Sequence, residues 1–545
     1  MQSEHAPGWV GRPLPRLEDD ALLRGRGRYL DDLQPTPNAA HAAILRSPFA
    51  HARISRLDPS AALALPGVVG ALTGADVAEL SRPFPAGIES PIPYFAAAVE
   101  TTRYAGEPVA VVVAKDRYLA EDALELVEVD YEPLEPVLDP LRAAATPALV
   151  ASDRTFSYGD GEAAFAGAHL VVRERFRFPR WSCTPVECYG VVAEWDGAAE
   201  ALTAWTNFQG PFTLHPVAAA ALGLPGARLR LVTPPDSGGS FGVKAAVYAY
   251  VVLLGLASRK LGVPVRWIED RLEHLAASST ATERVTEVAA AFAEDGELLA
   301  LRYDVVEDVG AYVRAPEPAT LYRMHGSLSG AYRVRNVSVR NRVVLTNRCP
   351  TGLNRGFGGP QLYFPLERTM AIAARRLGLD PADMARRNLV AASEQPYRTP
   401  SGGLYDSGDY TACLEEALRL ARYGERRAEQ RRARAEGKLH GVGIACVVEP
   451  SISNMGYITL VQPAEERARG LPKSGNAEGA SVQVDPLGGR LRERDVAHVR
   501  DRGLDDTGEA DADEPPLRPR GRGLRDALVV ARELERVVEA ALVVA

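Results

Sequence analysis

Residues 103–134, RYAGEPVAVVVAKDRYLAEDALELVEVDYEPL, decide the reading of the fold. VAVVVA is an unbroken apolar run, as expected of a strand buried on both faces. DRYLAEDALEL repeats its apolar side chains at helical spacing, and Asp116 stands where a carboxylate caps the first turn. VEVDYEPL then alternates, as a returning strand does. The Pro-rich PVLDPLRAAATPAL that follows closes this β-α-β module, so an N-terminal domain is expected over residues 1–145. Upstream, AHAAILRSPFAHARI carries strand signals around a turn at Pro48, and ALALPGVVGALTGADVAEL reads as short helix, strand and helix start.

A second domain is expected over 146–395. VVRERFRF, GVVAEWD, RYDVVEDVGAYV and RNVSVRNRVVLTNR read as strands, and PFTLHPVAAAALGLP and VYAYVVLLGLASRKLG as helices. FPLERTMAIAARRLGLDPADMARRNLV reads as two helices broken at Gly378 and Pro381, with Asp380 as the second cap. A third module, 396–489, begins with CLEEALRLARYGERRAEQRRARAEGK as one helix, then strands GVGIACVVEPS and ASVQVDPLGG. Residues 490–545 hold eleven Arg, thirteen Asp or Glu and no aromatic residue. Such a segment has too little apolar area to offset chain entropy, so disorder is expected there apart from a helix at 524–543. The class is α+β.

Composition narrows the function. Across 545 residues the net charge is −8, which argues against a nucleic-acid partner. Cys183, Cys188, Cys349, Cys413 and Cys446 have neither zinc-finger nor iron–sulfur spacing. There is no apolar stretch long enough for a membrane span, and MQSEHAPGWVGRPLPRLEDD lacks the apolar core of a secretory signal. A cytoplasmic protein is expected.

Two glycine loops carry the chemical signal: PPDSGGSFGVK at 234–244 and NRCPTGLNRGFGGPQ at 347–361. Glycine lets a backbone approach a ligand and aim its N–H groups, and a helix start behind the first loop favours an anion. The first loop is not a P-loop, because Val243 separates Gly242 from Lys244. A glycine-rich bend that only turns a strand into a helix is equally compatible with it.

These loops, with GRPLPRLEDDALLRGRGRYLDD, LRSPFAHARI, RYAGEPVAVVVA, LAEDALELVEVDYEPL and ERTMAIAARRLGLDP, resemble the molybdopterin-binding large subunit of the xanthine dehydrogenase/aldehyde oxidase family, the molybdenum hydroxylases. The resemblance covers residues from about 10 to 489. It implies an a/b hammerhead domain, then two molybdopterin-binding domains, the last incomplete. It also implies hydroxylation of an aldehyde or N-heteroaromatic ring with water-derived oxygen, and electron transfer to partner subunits. Because this chain has no cluster cysteines and no FAD fingerprint, the 2Fe-2S clusters and FAD are expected on a small iron–sulfur subunit and a medium flavin subunit.

By resemblance, Gln209 in TNFQGPF, Gly239, Phe241 and Gly242 of the first loop, and Arg355 of the second bind the cofactor, with Gln209, Phe241 and Arg355 bordering molybdenum. Phe357 matches an aromatic on which ring substrates stack, and Arg323 stands where purine-oxidising relatives place a substrate-orienting arginine. Each position also admits a bland role: Gln209 as a helix cap, the two phenylalanines as core, the arginines as structural. Glu187 reads as structural, and His51 and His215 as lone histidines rather than metal ligands.

Three departures matter. Ala245 stands where purine oxidisers have a Glu, which disfavours xanthine, and Gly356 stands where carbon monoxide dehydrogenases have a Cys; Cys349 lies six residues before Arg355 and does not replace it. The family's C-terminal part, with its general-base Glu, has no counterpart after Gly489. A frameshift near that residue is therefore expected, and the alternative to the hydroxylase reading is a truncated, catalytically inactive remnant that at most binds partner subunits.

Overall fold

The computed structural model describes residues 13–448, apart from Gly87 and residues 316–318. The expected strand forms as Pro108–Ala114, buried at every position. It lies between Val68–Thr73 and Ala40–Arg46 in a seven-stranded sheet. Beyond Ala40–Arg46 the sheet continues through Val265–Ile268, Gly190–Asp196, Ala201–Thr206 and Leu229–Val232. The junction is a short parallel pairing, with Ala40 opposite Val265 and His41 opposite Arg266. Thus one sheet joins strands from both sides of residue 145, and one core runs through it, from Ala42, Ile44 and Val111 to Tyr189, Val191 and Leu254.

Asp116 caps the helix Arg117–Leu124 by accepting a bond from Leu119 N at 2.9 Å. The strand that follows, Glu128–Pro133, does not return to Pro108–Ala114. It pairs antiparallel with Ala52–Asp58 in a separate three-stranded sheet. Its alternating, mostly exposed side chains explain this: only one face has a partner, whereas the central sheet buries both.

A five-stranded sheet forms the second layer, in the order Val150–Tyr158, Asn336–Val344, Leu298–Asp308, Glu283–Phe292 and Leu170–Phe178. The helix Gly359–Leu377 covers it, burying Leu362, Leu366 and Met370 against Val172, Val288 and Leu301. Asp380 caps the next helix, Pro381–Asn388, as its position implied.

Three further expectations change. The strand expected through RYDVVEDVGAYV stops at Asp308, where the chain turns at Gly310 with φ +77°. The single helix expected from Cys413 onward is two, Tyr410–Leu420 and Tyr423–Ala435, because Arg422 is left-handed (φ +51°). Residues 441–448 form no strand, although Ile444, Cys446 and Val448 pack on the second core. The expected strand ASVQVDPLGG and the tail 490–545 lie outside the described residues. No helix among those described is long and apolar enough to cross a membrane.

Candidate functional site

Three segments, each running into a helix, are tied together by hydrogen bonds. Gln209 and Gly210 precede Pro211–Leu222, with Gly210 left-handed at φ +70°. The first glycine loop runs into the 3₁₀ turn Val243–Val247 and then Tyr248–Leu261. The second runs into Gly359–Leu377, with Gly358 left-handed at φ +84°. Gln209 Oε1 accepts from Gly242 N at 3.0 Å and from the Ser240 hydroxyl. Arg355 N donates to Phe241 O at 2.8 Å. The two loops singled out in the sequence are therefore neighbours, separated by more than a hundred residues of chain.

Backbone conformation makes the approach possible. Gly239, Gly242 and Gly356 are all left-handed, with φ +92°, +103° and +75°. A β-carbon on Gly242 would stand 2.8 Å from the Leu353 backbone, so glycine is required for the loops to touch. Phe241 is itself left-handed at φ +54°, a strained state for an aromatic residue, and its ring is 47% exposed.

Behind the first loop, Glu187 acts as a clamp. Its Oε2 accepts from Gly238 N at 2.9 Å and from Lys244 Nζ at 2.5 Å. Lys244 is fully buried, and burial holds its ammonium below the ordinary lysine range against the opposing pull of Glu187. Sequence reasoning did not single out Ser240 or Lys244, nor Asn354, which accepts from the Cys183 thiol behind the second loop. A serine beside a glycine run was the one local hint; the other pairings are long-range.

Gln209 and Arg355 are exposed at the loop junction. With Gln209 Oε1 taken by the loop, its amide NH₂ has no partner among the described residues, and the Arg355 guanidinium has no hydrogen bond or ion pair there. The junction thus offers uncompensated donors and open left-handed glycines, which suit a bulky, anionic ligand. Arg323 and Phe357 also meet, since Arg323 Nη1 donates to Phe357 O at 3.3 Å. The Phe357 ring, however, is 6% exposed and presents little surface for stacking. Ala245 is buried in the main core. His51 and His215 each bond a backbone carbonyl, of Glu135 and Leu229.

Comparison with known proteins places these loops in context. Residues 24–135 match the model of the aldehyde oxidase and xanthine dehydrogenase a/b hammerhead domain, and residues 143–389 that of the molybdopterin cofactor-binding domain. The chain is 34% identical over 466 residues to the 6-hydroxypseudooxynicotine dehydrogenase complex subunit gamma of Paenarthrobacter nicotinovorans, covering 81% of this chain and 58% of that protein. It is 34% identical over 473 residues to the carbon monoxide dehydrogenase large chain of Afipia carboxidovorans, again over 81% and 58%. Quinoline 2-oxidoreductase from Pseudomonas putida 86 superposes with a TM-score of 0.76 at 36% identity, over 82% of this chain and 59% of that one. The chain therefore spans somewhat under three fifths of the length of these relatives.

Proposed function

Because the chain belongs to the xanthine dehydrogenase/aldehyde oxidase family of molybdopterin-binding large subunits, we propose that the junction of its glycine loops holds one side of the molybdenum cofactor in a hydroxylase of N-heteroaromatic rings or aldehydes. The observation that carries this reading is the bonding of Gln209 and Arg355 to one loop, Gln209 through Oε1 to Gly242 N and Arg355 through its amide to Phe241 O. The cradle fits the group: left-handed glycines leave room for it, and the Gln209 amide and Arg355 guanidinium have donors to give it. When bound, the molybdenum centre supplies two-electron redox chemistry with water as the oxygen source.

The residues of this chain would then bind and orient. Gln209 aims its NH₂ at the cofactor because Ser240 and Gly242 hold its oxygen. Gly239, Phe241 and Gly242 form the wall, and Glu187 with Lys244 fixes that wall from behind. Arg323 would border the substrate while steadying the backbone of Phe357, whose buried ring supports the site from behind. A ring substrate is preferred to carbon monoxide because Gly356 is left-handed, a conformation that a cysteine there would adopt only at a cost. A purine is disfavoured because Ala245 offers no carboxylate. Likeness alone does not make this choice, since the chain is as similar to the carbon monoxide dehydrogenase large chain as to the 6-hydroxypseudooxynicotine dehydrogenase subunit.

The carboxylate at the loops, Glu187, is committed to Gly238 and Lys244. The general base would therefore come from outside the described site. Electrons would pass to 2Fe-2S clusters and FAD on small and medium partner subunits. A second reading, a chain that binds cofactor and partners without turnover, is favoured by the committed state of Glu187. Metal analysis and dye-linked oxidation of quinoline and benzaldehyde, with and without the partner subunits, test the proposal. Molybdenum that is retained by the parent chain and lost from Gln209→Ala and Arg355→Ala would support the site. Metal content indifferent to both substitutions would refute it, and bound metal without turnover would select the second reading.

A further inference from the structure

Behind the Glu187 clamp lies a cluster that the proposed function does not use. Cys188, Glu269 and His274 each place one donor atom within 4.8 Å of those of the other two. They come from three different elements. Cys188 leads into the strand Gly190–Asp196, Glu269 follows the strand Val265–Ile268, and His274 is in the helix Arg271–Ala277. Glu269 and His274 are almost fully buried, while Cys188 is half-buried and gives the cluster its access to solvent.

The hydrogen bonding is incomplete in an informative way. Glu269 Oε2 accepts from His274 Nδ1 at 2.7 Å and from Tyr189 N at 3.0 Å. Glu269 Oε1 and His274 Nε2 are then buried with no partner among the described residues. A buried carboxylate oxygen and a buried imidazole nitrogen left bare each cost stability. Of the neighbouring cations, Lys244 pairs with Glu187, and Arg271 Nη2 donates to the carbonyls of Pro185 and Val186 at 2.8 and 2.7 Å, while Arg271 Nη1 is buried with no partner among the described residues.

We propose that Cys188 Sγ, the Glu269 carboxylate and His274 Nδ1 bind a divalent, thiophilic cation of the zinc type, the ion replacing the His274–Glu269 hydrogen bond with the imidazole proton moved to Nε2, and water completing the coordination from the Cys188 side. A thiolate, a carboxylate and a neutral imidazole form a ligand set matched to zinc rather than to calcium or magnesium, and their two negative charges balance the ion. The thiol proton leaves to solvent as the cysteine–metal bond forms; no electron is transferred. Such an ion would tie two strand ends and a helix together directly behind Glu187, bracing the loop through Gly238. The site is independent of the molybdenum cofactor, and its test does not require that cofactor to be present.

The full chain, stripped with chelator, should take up about one equivalent of zinc after dialysis and gain at least about 2 °C in Tm. Cobalt in place of zinc should give a near-ultraviolet thiolate-to-metal band. Cys188→Ser should abolish that band and the Tm gain while keeping the parent's circular dichroism, and His274→Gln should weaken binding at least about tenfold. Zinc below about a tenth of an equivalent would overturn the proposal. So would a cobalt spectrum of the parent chain without a thiolate band, or uptake by Cys188→Ser equal to the parent's. Because the cobalt band is read on the parent chain, a misfolded variant would not remove the test.

Discussion

One methyl group at Gly242 is a sufficient probe of the site. With φ at +103° and the Leu353 backbone 2.8 Å from any β-carbon, Gly242→Ala must either shift the first loop or push residues 353–355 away. A loss of about 1–3 kcal/mol is expected by thermal unfolding, together with loss of molybdenum. Gln209→Ala should separate the two effects, leaving stability within about 0.5 kcal/mol because the side chain is exposed, while cofactor retention falls. The loop was legible because glycine clusters are written locally, whereas Gln209 stood out only through the family resemblance. The Glu187–Lys244 pair was not, since 57 residues separate the partners and neither has a neighbouring pattern. Phe357 and Ala245 show the opposite limit: their identities are plain in the sequence, but their burial is decided by what folds over them.

Elements with strong periodicity and caps, such as Arg117–Leu124 behind Asp116 and Pro381–Asn388 behind Asp380, were legible almost to the residue. The break at Arg422 was not, because arginine carries no left-handed signal and the flanking pattern continues through it. Arg422→Gly is expected to stabilise the junction of Tyr410–Leu420 and Tyr423–Ala435 by up to about 1 kcal/mol, measurable by denaturant unfolding. The helix Gly359–Leu377 makes a pH prediction. Its Glu367 is fully buried, accepts from Tyr332 OH and Cys446 N at 2.9 Å each, and burial raises its carboxyl to about 8. Because the folded value lies above the unfolded one, the contribution is fully present below about pH 4.5 and is lost as pH rises through about 8. Glu107, raised to about 7 by burial, adds in the same direction. Glu367→Gln should flatten the decline in denaturation midpoint between about pH 5 and 8, and a slope equal to the parent's would show that the group is ionised in the fold.

For the whole molecule, alternation and apolar runs disclosed an α+β chain, but strand order was hidden, and one sheet joins strands from both sides of the boundary expected near residue 145. Nothing local says that Ala40–Arg46 should lie beside Val265–Ile268. The seam between the N-terminal part and the rest is also polar and buried: Tyr312 OH donates to Glu107 at 2.6 Å, and Arg314 to Tyr94 OH at 3.2 Å. A chain cut by an engineered protease site near residue 146 should therefore run as one species in gel filtration, with the fragments parting only in denaturant. Separate elution would mean that the shared sheet contributes little.

That seam also sets a schedule for synthesis. The free edge of Ala40–Arg46 has no partner until Val265–Ile268 leaves the ribosome, roughly 220 residues later. At ordinary elongation rates the wait is roughly 10–45 s. Throughout it, a fully apolar antiparallel partner, Pro108–Ala114, holds one side of the strand while the other remains open to any extended chain nearby. Nascent chains stalled before residue 265 should accordingly be bound by holdase chaperones, and chains stalled well past residue 268 released from them.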